Sequence, residues 1–212
     1  MKVVSLGNAI RTVAMVLAAA LLFPPAALSA ELLSGAGLLK SLQQGGKVIL
    51  MRHASSPRTT PDRSAAAAGN TGLERQLDEV GRSSATAMGK ALRELKIPIG
   101  EVLTSPTFRA LETLHYAGFT TFKTYDELGE GGAGMQPSSE AQANWLRLQV
   151  QQFPTGTNKL IVTHFPNVRA AYPDFSADLA DGEALVLGKG DKGAVTLLAR
   201  VKISDWAGLA KQ

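Results

Sequence analysis

Three short apolar runs in this chain stop abruptly at clusters of basic, hydroxyl or imidazole side chains. Lys47-Val-Ile-Leu-Met51 runs into Arg52-His53-Ala54, Val102-Leu103 runs into Thr104-Ser105-Pro106, and Lys159-Leu-Ile-Val-Thr163 runs into His164. Short, β-branched runs of this kind read as buried strands, and longer helical patterns lie between them. That alternation implies a parallel sheet with helices on both faces. The carboxyl ends of parallel strands share one edge, and ligands bind there. His53 and His164, together with Arg52 and with Arg109 one turn into the helix after Pro106, therefore converge on one crevice.

Periodicity fills in the rest. Helices are expected over 31–44, 79–95, 106–117 and 138–153, with a short turn around Trp206. The second is the clearest: Asp78 is placed to cap it, and Ala85, Met88, Leu92 and Leu95 form one stripe. Strands are expected over 47–51, 102–104, 121–125, 159–163, 184–187 and 194–201. Residues 55–72 and 129–136 are rich in Gly, Ser, Thr, Pro or Ala and read as loops. The expected fold is a three-layer α/β sandwich with a mainly parallel central sheet.

The first thirty residues stand apart from this pattern. Lys2 and Arg11 precede an apolar run from Thr12 to Phe23, and small residues lead to Ala30. This is the pattern of a cleaved secretory leader. The apolar run is about a dozen residues, short of the roughly twenty that span a bilayer, so no stable membrane insertion is expected after processing. The expected organisation is a leader over 1–30 and one domain over 31–212, secreted or periplasmic. Removing Lys2 and Arg11 leaves 20 basic against 18 acidic residues, too mild a balance to imply nucleic-acid binding. The chain has no cysteine, which is compatible with export.

The crevice suits phosphoryl transfer. Guanidinium groups offer paired donors to phosphate oxygens and stabilise charge on them. A neutral imidazole is a competent nucleophile, and water can attack its phosphorylated form. A zinc site would use the same histidines, but a fixed cation at Arg52 disfavours a second one beside His53.

Four motifs now carry a resemblance. Arg52-His53-Ala54 is similar to an Arg-His-Gly signature after a first strand, and Leu77-Asp-Glu-Val-Gly81-Arg82-Ser-Ser-Ala85 to Leu-x-x-x-Gly-Arg-x-x-Ala. Thr104-Ser105-Pro106-Thr-Phe-Arg109-Ala110-Leu-Glu112-Thr113 is similar to Ser-Ser-Pro-x-x-Arg-Ala-x-Glu-Thr, and Val162-Thr163-His164 supplies a histidine after a hydrophobic strand. In that order and spacing they resemble the histidine phosphatase superfamily, whose fold is phosphoglycerate-mutase-like. The resemblance implies a phosphomonoester hydrolase working through a phosphohistidine on a small phosphorylated substrate, without metal or organic cofactor. It makes His53 the nucleophile, has Arg52 and Arg109 clamp the phosphate, and has His164 complete the pocket. Arg75 is a further candidate for the phosphate. Leu128-Gly129-Glu130 is similar to the family's acid-bearing segment, which makes Glu130 the candidate general acid, with Glu127 and Glu183 as alternatives.

Two departures stand out: Ala54 replaces glycine, and Phe165-Pro166 follows His164 where small residues are common. Plain structural readings compete throughout. Either histidine could be a hydrogen-bonded strand-end residue, Arg109 could pair with Glu112 across one turn, and Arg75 or Glu130 could be solvated loop residues. His115 and Arg82 read as structural. Two other functions fit the same motifs: a mutase, disfavoured by the 55-residue separation of Arg109 and His164, which leaves room for only a minimal cap, and a phospholigand-binding module without turnover. Neither the substrate nor the oligomeric state follows from these residues.

Overall fold

Four strands with apolar residues on both sides build the centre of the molecule, because each is covered by helices twice over. The computed structural model describes residues 32–57, 75–129 and 138–211. In chain order the elements are α1 (Gly35–Gln43), β1 (Val48–Arg52), α2 (Glu79–Glu94), β2 (Ile99–Thr104), α3 (Phe108–Tyr116) and β3 (Lys123–Thr124). There follow α4 (Glu140–Gln151), β4 (Asn158–Thr163), α5 (Phe165–Ala171), β5 (Ala184–Lys189) and β6 (Val195–Val201). The leader expected over 1–30 lies outside the described residues, as do Glu130 and most of both expected loops.

The six strands form one sheet in the order β3-β2-β4-β1-β5-β6. β1 to β4 run parallel, and β5 pairs antiparallel with both β1 and β6. Side chains alternate across the sheet as the pleat requires. Ile49, Met51, Leu160 and Val162 face one layer, with Leu38, Leu42, Met88, Leu92, Leu114 and Trp206. Val48, Leu50, Ile161 and Leu185 face the other, with Leu146, Val150 and Val168. The expected three-layer sandwich with a mainly parallel sheet is what the chain forms.

Local chemistry explains where the elements start and stop. Asp78 caps α2 by accepting from the Gly81 N–H at 2.7 Å, as expected. Ser139 and Gln142 form a capping box that opens α4. α3 begins at Phe108 rather than at Pro106, because Ser105 and Thr107 are engaged with each other and with His164. β3 shrinks to two exposed residues at the sheet edge, paired only with Leu103 and Thr104. Helix α5, directly after His164, was not expected. Pro166 in its first turn is compatible with a helix start, since no N–H is needed there. No described helix is long and apolar enough to cross a membrane.

Candidate active site

Strand register brings the two histidines together. Arg52 of β1 lies opposite Thr163 of β4, so His53 and His164 leave the sheet side by side. The His53 N–H donates to the Thr163 carbonyl at 3.0 Å, and the Ser105 N–H does the same to Val162 from the other neighbour, β2. The imidazole centroids are 5.2 Å apart, edge to face.

Arg109 rises from the first turn of α3 between them, completely buried. Its Nε donates to His53 Nε2 at 3.3 Å, and its Nη2 lies 3.2 Å from His164 Nδ1. A guanidinium can only donate, and a carbonyl can only accept, which fixes both tautomers. His53 Nδ1 is 2.8 Å from the Ala54 carbonyl and carries the proton, leaving a lone pair on Nε2. His164 accepts at Nδ1 and donates from Nε2 toward Ser105 Oγ at 2.9 Å and Thr107 Oγ1 at 3.2 Å. The surface pairing of Arg109 with Glu112 does not form. Glu112 instead accepts from the Leu77 N–H at 3.0 Å, tying α3 to the segment before α2.

Both imidazoles are held neutral. Burial first, and then the Arg109 guanidinium, keep His53 well below the ordinary histidine value. Arg52 and Arg75 push the same way, against the opposing pull of the Ala54 carbonyl. Burial, Arg109 and His53 do the same to His164, with Arg75 and Arg52 adding to it. Arg75 is therefore close enough to be felt by both histidines. It is buried, and it donates to the carbonyls of Pro57 at 3.2 Å and Ser56 at 2.8 Å, so it is not a solvated loop arginine.

Arg52 is held from a different quarter. β5 runs antiparallel, so its amino end, Ala184, sits opposite Met51 at the ligand edge. The segment leading into it wraps the end of β1. The Gly182 N–H donates to the His53 carbonyl at 2.8 Å, and the Arg52 N–H to the Glu183 carbonyl at 3.1 Å. Arg52 Nη1 donates to the Leu179 carbonyl at 2.8 Å, its Nη2 pairs with the Asp181 carboxylate, and its guanidinium carbon lies 5.8 Å from the Phe165 ring centre.

Glu183 anchors this collar. Its carboxylate takes the Arg200 Nε at 2.7 Å and the Ala180 N–H at 2.9 Å. Burial pushes its carboxyl up, but Arg200 and the Ala180 N–H outweigh that and hold it below the usual carboxylate range. A carboxylate so bound is a poor proton donor, and Glu183 is structural. Glu127 is half-buried in a short turn, where its carbonyl accepts from Asn167 at 3.2 Å. Glu130 lies outside the described residues.

The departures from the motif pattern are absorbed. Ala54 does not adopt the left-handed conformation that would need glycine. Its N–H donates to Thr113 Oγ1 at 3.0 Å, and Thr113 in turn donates to the Arg109 carbonyl at 2.8 Å. Arg82 holds the Leu77 carbonyl and Glu79, and His115 is exposed against Phe122, both structural as expected. Asp181 and Leu179 escaped the sequence reading, whereas Phe165, noted as a departure, places its ring against Arg52. Asp181 lies beyond all four motifs, and only the reversal of β5 brings it back to the crevice. No group of three or more His, Cys, Asp or Glu side chains is placed to hold a metal ion among the described residues.

The site so defined gathers two neutral imidazoles and three guanidinium groups at the carboxyl ends of the parallel strands, with the His53 lone pair facing Arg109. Its family is established by sequence: residues 48–157 match the model of the histidine phosphatase superfamily (branch 1), and the chain belongs to that superfamily. Solved structures share the fold at low identity. The protein histidine phosphatase SixA, complexed with tungstate, is 19% identical with a TM-score of 0.54, over 75% of this chain and 98% of its own. The Rv3214 open reading frame product of Mycobacterium tuberculosis is 18% identical with a TM-score of 0.55, over 72% and 95%. A phosphoserine phosphatase mutant from Entamoeba histolytica, in complex with phosphoserine, is 11% identical with a TM-score of 0.53, over 74% and 97%. No curated protein sequence matches the chain significantly.

Proposed function

We propose that the protein is a phosphomonoester hydrolase working through a phosphohistidine on His53. The observation that carries this reading is the His53 tautomer: Nδ1–H is fixed on the Ala54 carbonyl, and the Nε2 lone pair points at Arg109. In the first step Nε2 attacks phosphorus while the bond from phosphorus to the leaving oxygen breaks. Arg109, Arg52 and Arg75 surround the transferring group with positive charge, and His164 completes its pocket. An acid gives the leaving oxygen its proton, and Glu130 is the residue assigned that part. In the second step water attacks the phosphohistidine, its proton is taken up by the conjugate base, and phosphate and neutral His53 are released. No step calls on a metal or organic cofactor.

The substrate is read as a small phosphate ester met outside the cytoplasm, after loss of the leader over 1–30. N-terminal sequencing of protein from its native host that began at Met1 would refute that part. A Glu130→Gln change should slow an alkyl phosphate by roughly 10²–10⁴-fold and an aryl phosphate much less, because only the alkoxide needs a proton to leave. Equal slowing would return Glu130 to the loop. For the whole reading, purified protein should hydrolyse p-nitrophenyl phosphate, and His53→Ala should lose on the order of 10⁴–10⁶ in turnover. A variant keeping a tenth of the wild-type rate would end it.

A further inference from the structure

As it stands, His164 has no N–H to offer a phosphate. A neutral imidazole carries one donor and one lone pair, and both are committed inside the protein. The Nε2–H is given to Ser105 Oγ at 2.9 Å and Thr107 Oγ1 at 3.2 Å. That hydroxyl pair is itself fixed, because Ser105 Oγ donates to Thr107 Oγ1 at 3.1 Å and accepts the Thr107 N–H at 3.2 Å. Ser105, Thr107 and His164 are all buried. The lone pair on His164 Nδ1 takes Nη2 of Arg109 at 3.2 Å.

The same guanidinium covers the nucleophile. Arg109 Nε donates to His53 Nε2 at 3.3 Å, so one rigid fork holds both lone pairs. Attack on phosphorus needs the His53 lone pair uncovered, and the fork must then turn its N–H groups to the phosphate oxygens. His53 commits its lone pair to phosphorus. His164 is left with a bare lone pair, buried and turned toward an anion, and with one hydrogen bond lost. One proton on Nδ1 removes both faults and makes a charge-assisted donor. Turning the ring does not solve the problem, because the Nε2–H would have to leave two buried hydroxyl oxygens.

The charges around His164 agree with this exchange. Burial, then Arg109 and His53, then Arg75 and Arg52, hold the ring neutral without a ligand. From the remaining neighbours, the collar brings Asp181, already paired with Arg52, and the turn tied to Asn167 carries the half-buried Glu127. A dianion among the guanidinium groups offsets their positive field and attracts an imidazolium. Resting on the hydrolase reading above, we propose that binding of a phosphate-like dianion takes up one proton, on Nδ1 of His164, so that this histidine meets the ligand as an imidazolium. The proton comes from solvent, returns to solvent when phosphate departs, and is separate from the one the leaving oxygen needs.

Tungstate is the probe, because it remains a dianion near neutral pH and can take a fifth ligand, as phosphorus does from His53. Titration calorimetry in buffers of different ionisation enthalpy reads the protons taken up per tungstate bound. The wild type should take up about one, and its affinity should fall by about tenfold per pH unit between about pH 7 and 8. His164→Asn should take up almost none and lose most of that pH dependence, whereas His53→Asn should still take up about one. Because His164→Asn disturbs a buried network, the ¹⁵N ring signals of the three histidines in the wild type give a second reading. Tungstate should leave both nitrogens of His164 protonated and His115 unchanged. Binding without proton uptake, uptake that survives in His164→Asn, or no binding of tungstate at all would overturn the proposal. A phosphorylated His53 without proton uptake would end the proposal alone. Uptake by a protein that hydrolyses no ester would uphold it and sink the hydrolase reading instead.

Discussion

Two of the arginines gathered at the histidines are held in opposite ways. Arg109 is sealed inside the protein and directs Nε and Nη2 at imidazole nitrogens. Arg52, at the strand end, directs its nitrogens at a carbonyl and at a carboxylate that is a third exposed. The difference appears in the electrostatics: after burial itself, Arg109 is the strongest influence holding both imidazoles neutral, and Arg52 ranks below it. A guanidinium neutralised by Asp181 has less field to spend on its neighbours. The helix-borne arginine thus reinforces burial in keeping both imidazoles neutral, while the strand-borne one is positioned by the collar over 177–183.

The comparison breaks first at Arg109. Arg109→Ala should cost on the order of 10²–10³ in kcat, the usual loss when a buried donor to transition-state charge is removed. Arg109→Lys should recover little, because an ammonium cannot reach both histidines with a rigid fork. If Arg109→Ala cost less than Arg52→Ala, the roles assigned here would be reversed.

The pH dependence sharpens the contrast at intermediate size. In the unfolded chain both histidines titrate near 6.5, and in the folded protein both sit well below it. The unfolded state therefore binds more protons, so stability is fully present above about pH 6.5 and is lost as pH falls below it. Each histidine adds a slope of up to about 1.4 kcal/mol per pH unit in that window. Urea titrations between pH 7 and 5 should show this slope halved in His164→Asn. An unchanged slope would mean that His164 is not buried neutral.

The smallest effect concerns Asp181. Asp181→Asn keeps the shape of the contact but removes its charge, and a partly exposed ion pair is worth about 1 kcal/mol at most. Vanadate inhibition should shift by roughly fivefold at most, and the shift should vanish in an Arg52→Ala background. An equal shift with and without Arg52 would show that Asp181 acts elsewhere.

Much of this was legible from the residues because it rests on strand ends. Once 47–51, 102–104 and 159–163 are strands of one parallel sheet, Arg52, His53, Ser105 and His164 must meet, and the register of β1 and β4 makes them do so. The collar was illegible for the complementary reason. Asp181 and Leu179 carry no motif, and their return depends on β5 running against β1, which alternating hydrophobicity cannot distinguish from a parallel strand. Helix α5 was hidden behind Pro166, whose breaking tendency disappears in a first turn. Glu183 read as a possible acid because its sequence position is right. Only Arg200, seventeen residues away across the β5–β6 pair, shows that its charge is already spent.

The central claim is that His53 is neutral, oriented through Nδ1, and nucleophilic at Nε2. Its most direct test is to mix the protein with ³²P-labelled substrate, quench within milliseconds, and map the label by mass spectrometry. The account predicts a phosphoprotein that survives base, is lost in acid, maps to His53 and is absent from His53→Ala. Label on His164, or full turnover with no labelled protein at any quench time, would contradict it.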